Sequence, residues 1–220
     1  MDSLKLIPEV ERRLKYHFGE PEIVLRDPGD ELIRTILSQN TNDRNRDRAF
    51  LQLKEKFPTW DQVLEVSEKT IGELIRPAGL ENQKAHRIKK ILSWLKETNG
   101  GFNLEFIEEL NDDEAIALLT TQKGIGLKTA GVVLAFAFGR DLCPVDTHIH
   151  RIAHRLGWVM GKASPKKIFY TIKPHIPSGR ARSLHLNLLR LGRIICTARQ
   201  PNCRQCPLTD LCCWYQTEKI

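Results

Sequence analysis

The chain has 220 residues, 41% of them hydrophobic and 28% charged, enough for one large or two small globular cores and unlike a disordered chain. Near the N-terminus, charged residues interrupt the chain before any apolar run reaches the length of a signal peptide. No segment approaches the roughly 18 uncharged residues of a membrane span. We therefore expect a soluble, intracellular protein that is cytoplasmic or nuclear, is not secreted and has no membrane partner. We also expect it to be a monomer.

Positive charge is concentrated in the C-terminal third of the sequence. Twelve of the 34 basic residues and none of the 27 acidic residues lie between positions 147 and 209. The rest of the chain is therefore net negative, although the whole carries +7. Such a segregated basic segment predicts a surface that faces a polyanion. A basic face with no partner is the alternative.

Helical periodicity dominates the chain. Residues 27–39 combine helix-start chemistry with a repeating apolar stripe, and residues 82–101 repeat this pattern up to a pair of glycines. Residues 112–119 place acidic side chains in a first turn, where the helix dipole favours them. The stretch 127–138 is apolar all round after its lysine, which predicts a helix buried in a bundle. The fold class is all-α, with about ten helices and short loops.

Two glycines mark a tight turn between helices. Gly124 and Gly126 lie between a helix that ends near Thr121 and one that begins near Leu127, which predicts a helix-hairpin-helix. Main-chain N–H groups there and at the following helix N-terminus could bind a phosphate. An ordinary corner between two helices is the alternative.

A lysine and an aspartate occupy two successive helix starts. Lys128 lies in a first turn, where the dipole disfavours the ammonium and so favours the nucleophilic free amine, although a bound phosphate would act in the opposite direction. Asp146 is predicted to be the N-cap of the next helix, and capping alone is its alternative role. Together they predict an amine nucleophile and a carboxylate at a DNA-facing cleft.

A cysteine cluster lies near the C-terminus with the spacing C-x6-C-x2-C-x5-C. In an intracellular protein this pattern indicates a metal centre rather than disulfides. The spacing favours a [4Fe-4S] cluster over zinc, because only the middle pair has the knuckle spacing of a zinc site, and a cysteine cluster without metal is the third alternative. Cys213 makes the register of the fourth ligand ambiguous, and Cys143 is expected to be a small buried hydrophobe. The candidate ligands are Cys196, Cys203, Cys206 and Cys212.

The segments "GIGLKTA" and "VDTHIHRIAHRLGW" and the cysteine spacing, in this order, resemble the endonuclease III branch of the helix-hairpin-helix DNA glycosylases. The resemblance covers nearly the whole chain. It implies two helical lobes, a six-helix bundle with the hairpin at residues 24–140 and an iron–sulfur lobe formed by residues 1–23 plus 141–220. It also implies a [4Fe-4S] cofactor held by the four cysteines.

The resemblance implies a bifunctional DNA glycosylase and AP lyase of DNA repair, acting on double-stranded DNA that contains damaged bases or abasic sites. Lys128 would be the Schiff-base nucleophile and Asp146 the essential carboxylate. The damaged nucleotide, an oxidised pyrimidine in this expectation, would be flipped out of the duplex before excision and β-elimination. The family's gap-filling residues match Asn40 and Leu80, with Gln39 as an alternative to Asn40.

Further DNA contacts are expected from the hairpin, from the helix after Asp146 and from the cysteine loop. Relatives carry Leu-Pro before the hairpin glycines, where this chain has Gln122 and Lys123, and Gln200 replaces an expected basic residue in the cysteine loop. The remaining DNA-binding candidates are Lys123, Gly124, Ile125, Gly126, Thr129, His148, Arg151, Arg199 and Arg204.

Two other functions fit parts of the pattern. A monofunctional mismatch glycosylase of the same superfamily would use the aspartate alone, and Lys128 argues against it. A non-catalytic, metal-containing DNA-binding module would explain the basic segment and the cysteines but not Lys128 and Asp146. Similar motifs occur in plant relatives that excise 5-methylcytosine, so the sequence leaves the lesion preference open.

Overall fold

The computed structural model describes residues 2–218, which form twelve α-helices and no strand. The all-α prediction is confirmed. Two of the helices have only six residues, too few to show a periodic pattern, which explains why about ten were expected. The helices are α1 Ile7–Phe18, α2 Pro28–Leu37, α3 Asp43–Lys56, α4 Trp60–Glu65, α5 Glu68–Ile75, α6 Glu81–Asn99, α7 Asp112–Thr120, α8 Leu127–Phe136, α9 Thr147–Arg155, α10 Pro165–Ile172, α11 Ala181–Ile194 and α12 Cys213–Glu218.

The chain divides into two compact units. The bundle unit is Leu25–Gly139 and contains α2 to α8. The terminal unit combines Met1–Val24 with Arg140–Ile220 and contains α1 and α9 to α12.

In the bundle unit, α8 lies in the core and packs against α2 and α7. Seven of its ten residues are buried, as its uniformly apolar sequence predicts. Local chemistry sets the helix ends: the Asp27 side chain accepts a hydrogen bond from the Asp30 N–H at 2.9 Å at the start of α2. Gly100 ends α6 with a left-handed φ of 68°.

In the terminal unit, α11 packs against both α1 and α9. The Arg180 guanidinium bonds the carboxylates of Glu11 and Glu20, and so joins the start of α11 to the N-terminal segment. The Asp141 carboxylate accepts from the N–H groups of Gly179 and Ala181 at 2.5 and 2.8 Å, and thereby caps α11 from a distant part of the chain.

Within residues 2–218, no helix has the length and apolar character that spanning a membrane requires.

Candidate active site and metal centre

The glycine hairpin lies between α7 and α8, at the place predicted from the sequence. Gly124 has a φ of 100°, a conformation that favours glycine, and the Ile125 N–H bonds the Gln122 carbonyl at 2.9 Å to close the turn. Gly126 is the N-cap of α8 and has no side chain to accept from the first-turn N–H groups. These groups are therefore suited to an anion from another molecule.

Gly124 also lies close to the end of the Arg87 side chain. A Cβ at this position would lie 2.1 Å from Nε of Arg87 on α6. Arg87 donates a hydrogen bond to Oε1 of Gln39, and Nε2 of Gln39 donates to the Gly124 carbonyl at 3.2 Å. Sequence analysis missed Arg87, because nothing in the local helical pattern of α6 distinguishes it from a surface arginine.

Asn40 and Leu80 share an unusual backbone. Their φ angles are 53° and 52°, in the left-handed region that is uncommon for residues other than glycine. Both side chains are exposed, Leu80 by 48%. Strained, exposed residues of this kind concentrate at functional sites. Gln39, by contrast, is half-buried and occupied by its bonds to Arg87 and Gly124.

Lys128 is the second residue of α8 and is half-buried, whereas Lys123 in the hairpin is exposed. Two neighbouring candidates differ from the expectation. The side chains of Ile125 and Thr129 are only 3% and 5% exposed, because they pack into the core of the bundle unit. Any DNA contact from these two residues must therefore come from the main chain.

In the terminal unit, Asp146 is the N-cap of α9, as predicted. Its Oδ1 accepts from the Ile149 N–H at 2.8 Å, and the carboxylate is half-buried. The preceding residues 142–145 are buried, and Nδ1 of the buried His185 donates to the Pro144 carbonyl at 2.9 Å. The segment leading to the carboxylate is therefore held by side-chain packing and by a hydrogen bond from α11.

His148 and Arg151 lie on α9. Arg151 was expected to contact DNA, but in the structure its guanidinium bonds groups within the protein. Its guanidinium donates to the carbonyls of Cys196 and Gly192 at 2.9 and 2.8 Å, and Nη2 lies 3.1 Å from Nδ1 of His148. Arg151 thus ties α9 to the end of α11 and to the start of the cysteine loop. Its half-buried position follows from these internal bonds.

The four predicted cysteine ligands line one pocket, together with Arg155 and Trp214. Arg155 donates to Sγ of Cys196 at 3.1 Å and stacks over the Trp214 ring at 4.6 Å from its centroid. Cys213 lies outside this pocket: its Sγ is 3.5 Å from the Leu156 carbonyl oxygen and 3.7 Å from Oγ of Ser3. The buried Cys143 is confirmed as a core residue.

The pocket suits a thiolate-bound group, because the four cysteines in its lining offer soft sulfur donors and the guanidinium of Arg155 offsets their negative charge. Burial raises the pKa of Cys206 to about 11 and also raises the pKa of Cys212, because a buried thiolate is poorly stabilised. Within residues 2–218, no three His, Cys, Asp or Glu side chains are grouped so as to hold a single metal ion.

Arg199 and Arg204 are exposed in the loop between α11 and α12. The structure therefore places the candidates in two sets. The bundle unit contains Gln39, Asn40, Leu80, the hairpin and Lys128. The terminal unit contains Asp146, Arg151, the cysteines and the two loop arginines.

Comparison with known proteins agrees with this geometry. A family model described as HhH-GPD superfamily base excision DNA repair protein matches residues 33–177. Endonuclease III of Thermotoga maritima is 34% identical over 190 residues, which are 86% of this chain and 84% of that protein. A protein of Arabidopsis thaliana named for DNA glycosylase activity is 39% identical over 165 residues, 75% of this chain but only 56% of the plant protein.

Among solved structures, a trapped endonuclease III–DNA covalent intermediate matches with a TM-score of 0.85 and 28% identity, over 99% of both chains. The all-helical fold, the glycine hairpin and these matches define the class as base excision DNA repair proteins. The chain belongs to the HhH-GPD superfamily and, within it, to the endonuclease III family. It is a DNA repair enzyme with glycosylase and AP lyase activity, and its family generally carries a [4Fe-4S] cluster.

Proposed function

We propose that this protein excises damaged bases, oxidised pyrimidines above all, from double-stranded DNA and then cleaves the strand at the resulting abasic site. It acts as a monomer where the cell keeps its DNA, in the cytoplasm or the nucleus. Lys128 is the observation that carries the proposal. A lysine in the first turn of a buried helix, directly after a phosphate-binding hairpin, supplies the amine that a lyase needs and a monofunctional glycosylase lacks.

In the proposed reaction the free amine of Lys128 attacks C1′ of the flipped nucleotide. The bond from C1′ to the base breaks, and the base leaves with the electron pair and takes up a proton. After the amine has lost a proton and the sugar ring has opened, the imine makes a C2′ proton acidic, and removal of that proton expels the 3′ phosphate. Ionised Asp146 stabilises the positive charge that develops on the sugar.

Asn40 and Leu80 are proposed to fill the space that the flipped nucleotide leaves. Both are exposed and have a left-handed backbone, whereas the side chain of Gln39 is engaged with Arg87 and Gly124. This difference favours Asn40 over Gln39 as the residue that fills the gap. The hairpin N–H groups, Lys123 and the main chain of Ile125 and Thr129 are proposed to grip a phosphate.

The four cysteines that line the pocket are proposed to hold a [4Fe-4S] cluster, one cysteine to each iron. Bound there, the cluster would hold the shape of the loop between α11 and α12. Arg199 and Arg204 on this loop would then bind phosphates on the duplex. We further propose that residues 24–140 and residues 1–23 plus 141–220 act as the two lobes.

Borohydride trapping on duplexes that each carry one lesion tests the activity and its substrate class together. We expect a covalent adduct with oxidised-pyrimidine and abasic duplexes, and none with Lys128→Gln, which keeps a long polar side chain but removes the amine. Equal nicking of abasic DNA by Lys128→Gln and the parent protein would remove the lysine from the mechanism and support the monofunctional alternative. Trapping only with other lesions would leave the chemistry intact and correct the substrate class.

A further inference from the structure

Lys84, on the first turn of α6, is buried with only 1% of its surface exposed. Its ammonium donates to the main-chain carbonyl of Leu37 at 2.9 Å and to that of Ala78 at 2.8 Å. Lysine is rarely buried so fully, since removing its charge from water is unfavourable. Burial, with the nearby charge of Arg87, accordingly lowers the pKa of Lys84 to about 8.

Both acceptors lie just before the proposed gap-filling residues. Leu37 is the last residue of α2 and comes three residues before Asn40, and Ala78 ends a short 3₁₀ turn two residues before Leu80. Because both carbonyls bond the same nitrogen atom, Lys84 holds the two segments at a fixed separation. The acceptors are carbonyls at the ends of helical turns, which carry partial negative charge and suit a cation.

Arg87 lies one helical turn further along α6 and reaches the same region. It donates to the side-chain oxygen of Gln39, next to Asn40, and lies against Gly124 of the hairpin. Gln39 in turn donates to the Gly124 carbonyl. One helix therefore connects both gap-filling segments with the proposed phosphate-binding turn.

We propose that Lys84 and Arg87, here called the α6 brace, are positioning residues that set the distance between Asn40, Leu80 and the hairpin. The inference rests on the proposed base-flipping function. Filling a gap in the duplex while gripping the backbone requires both contacts at fixed positions, and a displacement of about 1 Å can reduce a rate by about 100-fold. A buried cation with two directional bonds restricts this geometry more tightly than apolar packing would.

The test compares Lys84→Met with Lys89→Met. Lys89 lies on the same helix and donates to the carbonyl of Val66 at 2.7 Å, a residue of neither gap-filling segment, so it is a matched control. We expect Lys84→Met to lower single-turnover excision and the unstacking of a 2-aminopurine placed next to the lesion by roughly 10- to 100-fold. Affinity for undamaged duplex should stay within about twofold of the parent, as should every measurement on Lys89→Met. Arg87→Met, at a half-buried position, provides a second test if Lys84→Met does not fold.

A double-mutant cycle identifies the route of the effect. In a Leu80→Ala background, Lys84→Met should lower the excision rate much less, because the side chain that Lys84 positions is already gone. Two results would overturn the brace while leaving the proposed function intact. One is an equal loss of excision rate from Lys84→Met in the parent and in the Leu80→Ala background. The other is an excision rate in Lys84→Met and Arg87→Met that equals the rate of Lys89→Met. If the parent protein itself failed to unstack the probe or to excise the base, the proposed function would fail first, and the brace with it.

Discussion

Oδ1 of Asp146 accepts a hydrogen bond from the main-chain N–H of Ile149 at 2.8 Å, so this carboxylate caps α9. An asparagine can make the same bond through its amide oxygen. Capping and charge can therefore be separated experimentally at this residue.

Asp146→Asn should fold with the stability of the parent protein but lose most of its base excision. The expected loss is roughly 10²–10³-fold in single-turnover rate, since a positioned charge typically contributes that much. Affinity for lesion DNA should hold or improve, because one negative charge near phosphates is removed. Nicking of a ready-made abasic site should be partly retained. Excision within about threefold of the parent would reduce Asp146 to a helix cap.

The cysteine variants should identify the metal and its fourth ligand. Protein purified without oxygen should contain iron and show the broad visible absorption of an iron–sulfur cluster. Cys212→Ser should lower the iron content, since Cys212 lines the pocket, whereas Cys213→Ser should not, since its sulfur faces Ser3 and the Leu156 carbonyl. One zinc per chain and no iron, or a full cluster in Cys212→Ser, would contradict this assignment.

Arg199 and Arg204 should bind DNA phosphates without reading sequence. Neutralising each one to glutamine should weaken binding to all duplexes about equally and lower the slope of log affinity against log salt by roughly one unit. Binding measured at several salt concentrations, with damaged and undamaged duplexes, tests this expectation. A loss confined to damaged DNA would move these arginines to the lesion pocket.

Lys84 should make stability depend on pH in the alkaline range. The pKa of this lysine falls from the usual 10.5 to about 8 in the folded state, so between these values the unfolded chain holds a proton that the folded chain has released. Stability therefore rises with pH across this window, by about 3 kcal/mol for the full shift. Below pH 8 the buried ammonium opposes folding, and above 10.5 the gain is complete.

Urea unfolding of the parent and of Lys84→Met from pH 7 to 10.5 measures this contribution. The difference between the two free energies of unfolding should move in favour of the parent as the pH rises, because the methionine variant lacks the titrating group while the other lysines remain. A difference that stays constant with pH would show that Lys84 titrates normally.

Local sequence was sufficient to predict the helices that matter here and the features between them. The start of α2 at Asp27, the end of α6 at Gly100, the Gly124 turn and the Asp146 cap all depend on contacts within a few residues. Residue type and spacing along the chain are enough to predict such contacts. The helical period and the cysteine pattern can be read from the sequence in the same way. Recognition of the family rested on the same short motifs.

Other assignments required contacts between segments far apart in the chain. Lys84 bonds a carbonyl 47 residues away, and Arg87 bonds Gln39 from a distance of 48 residues. Packing between distant elements likewise decides that Arg151 bonds groups within the protein. It also decides that Cys212 lines the pocket whereas Cys213 does not. Residue type and local period carry no information about which distant group a side chain will meet, because burial and directional hydrogen bonds arise only when the helices pack.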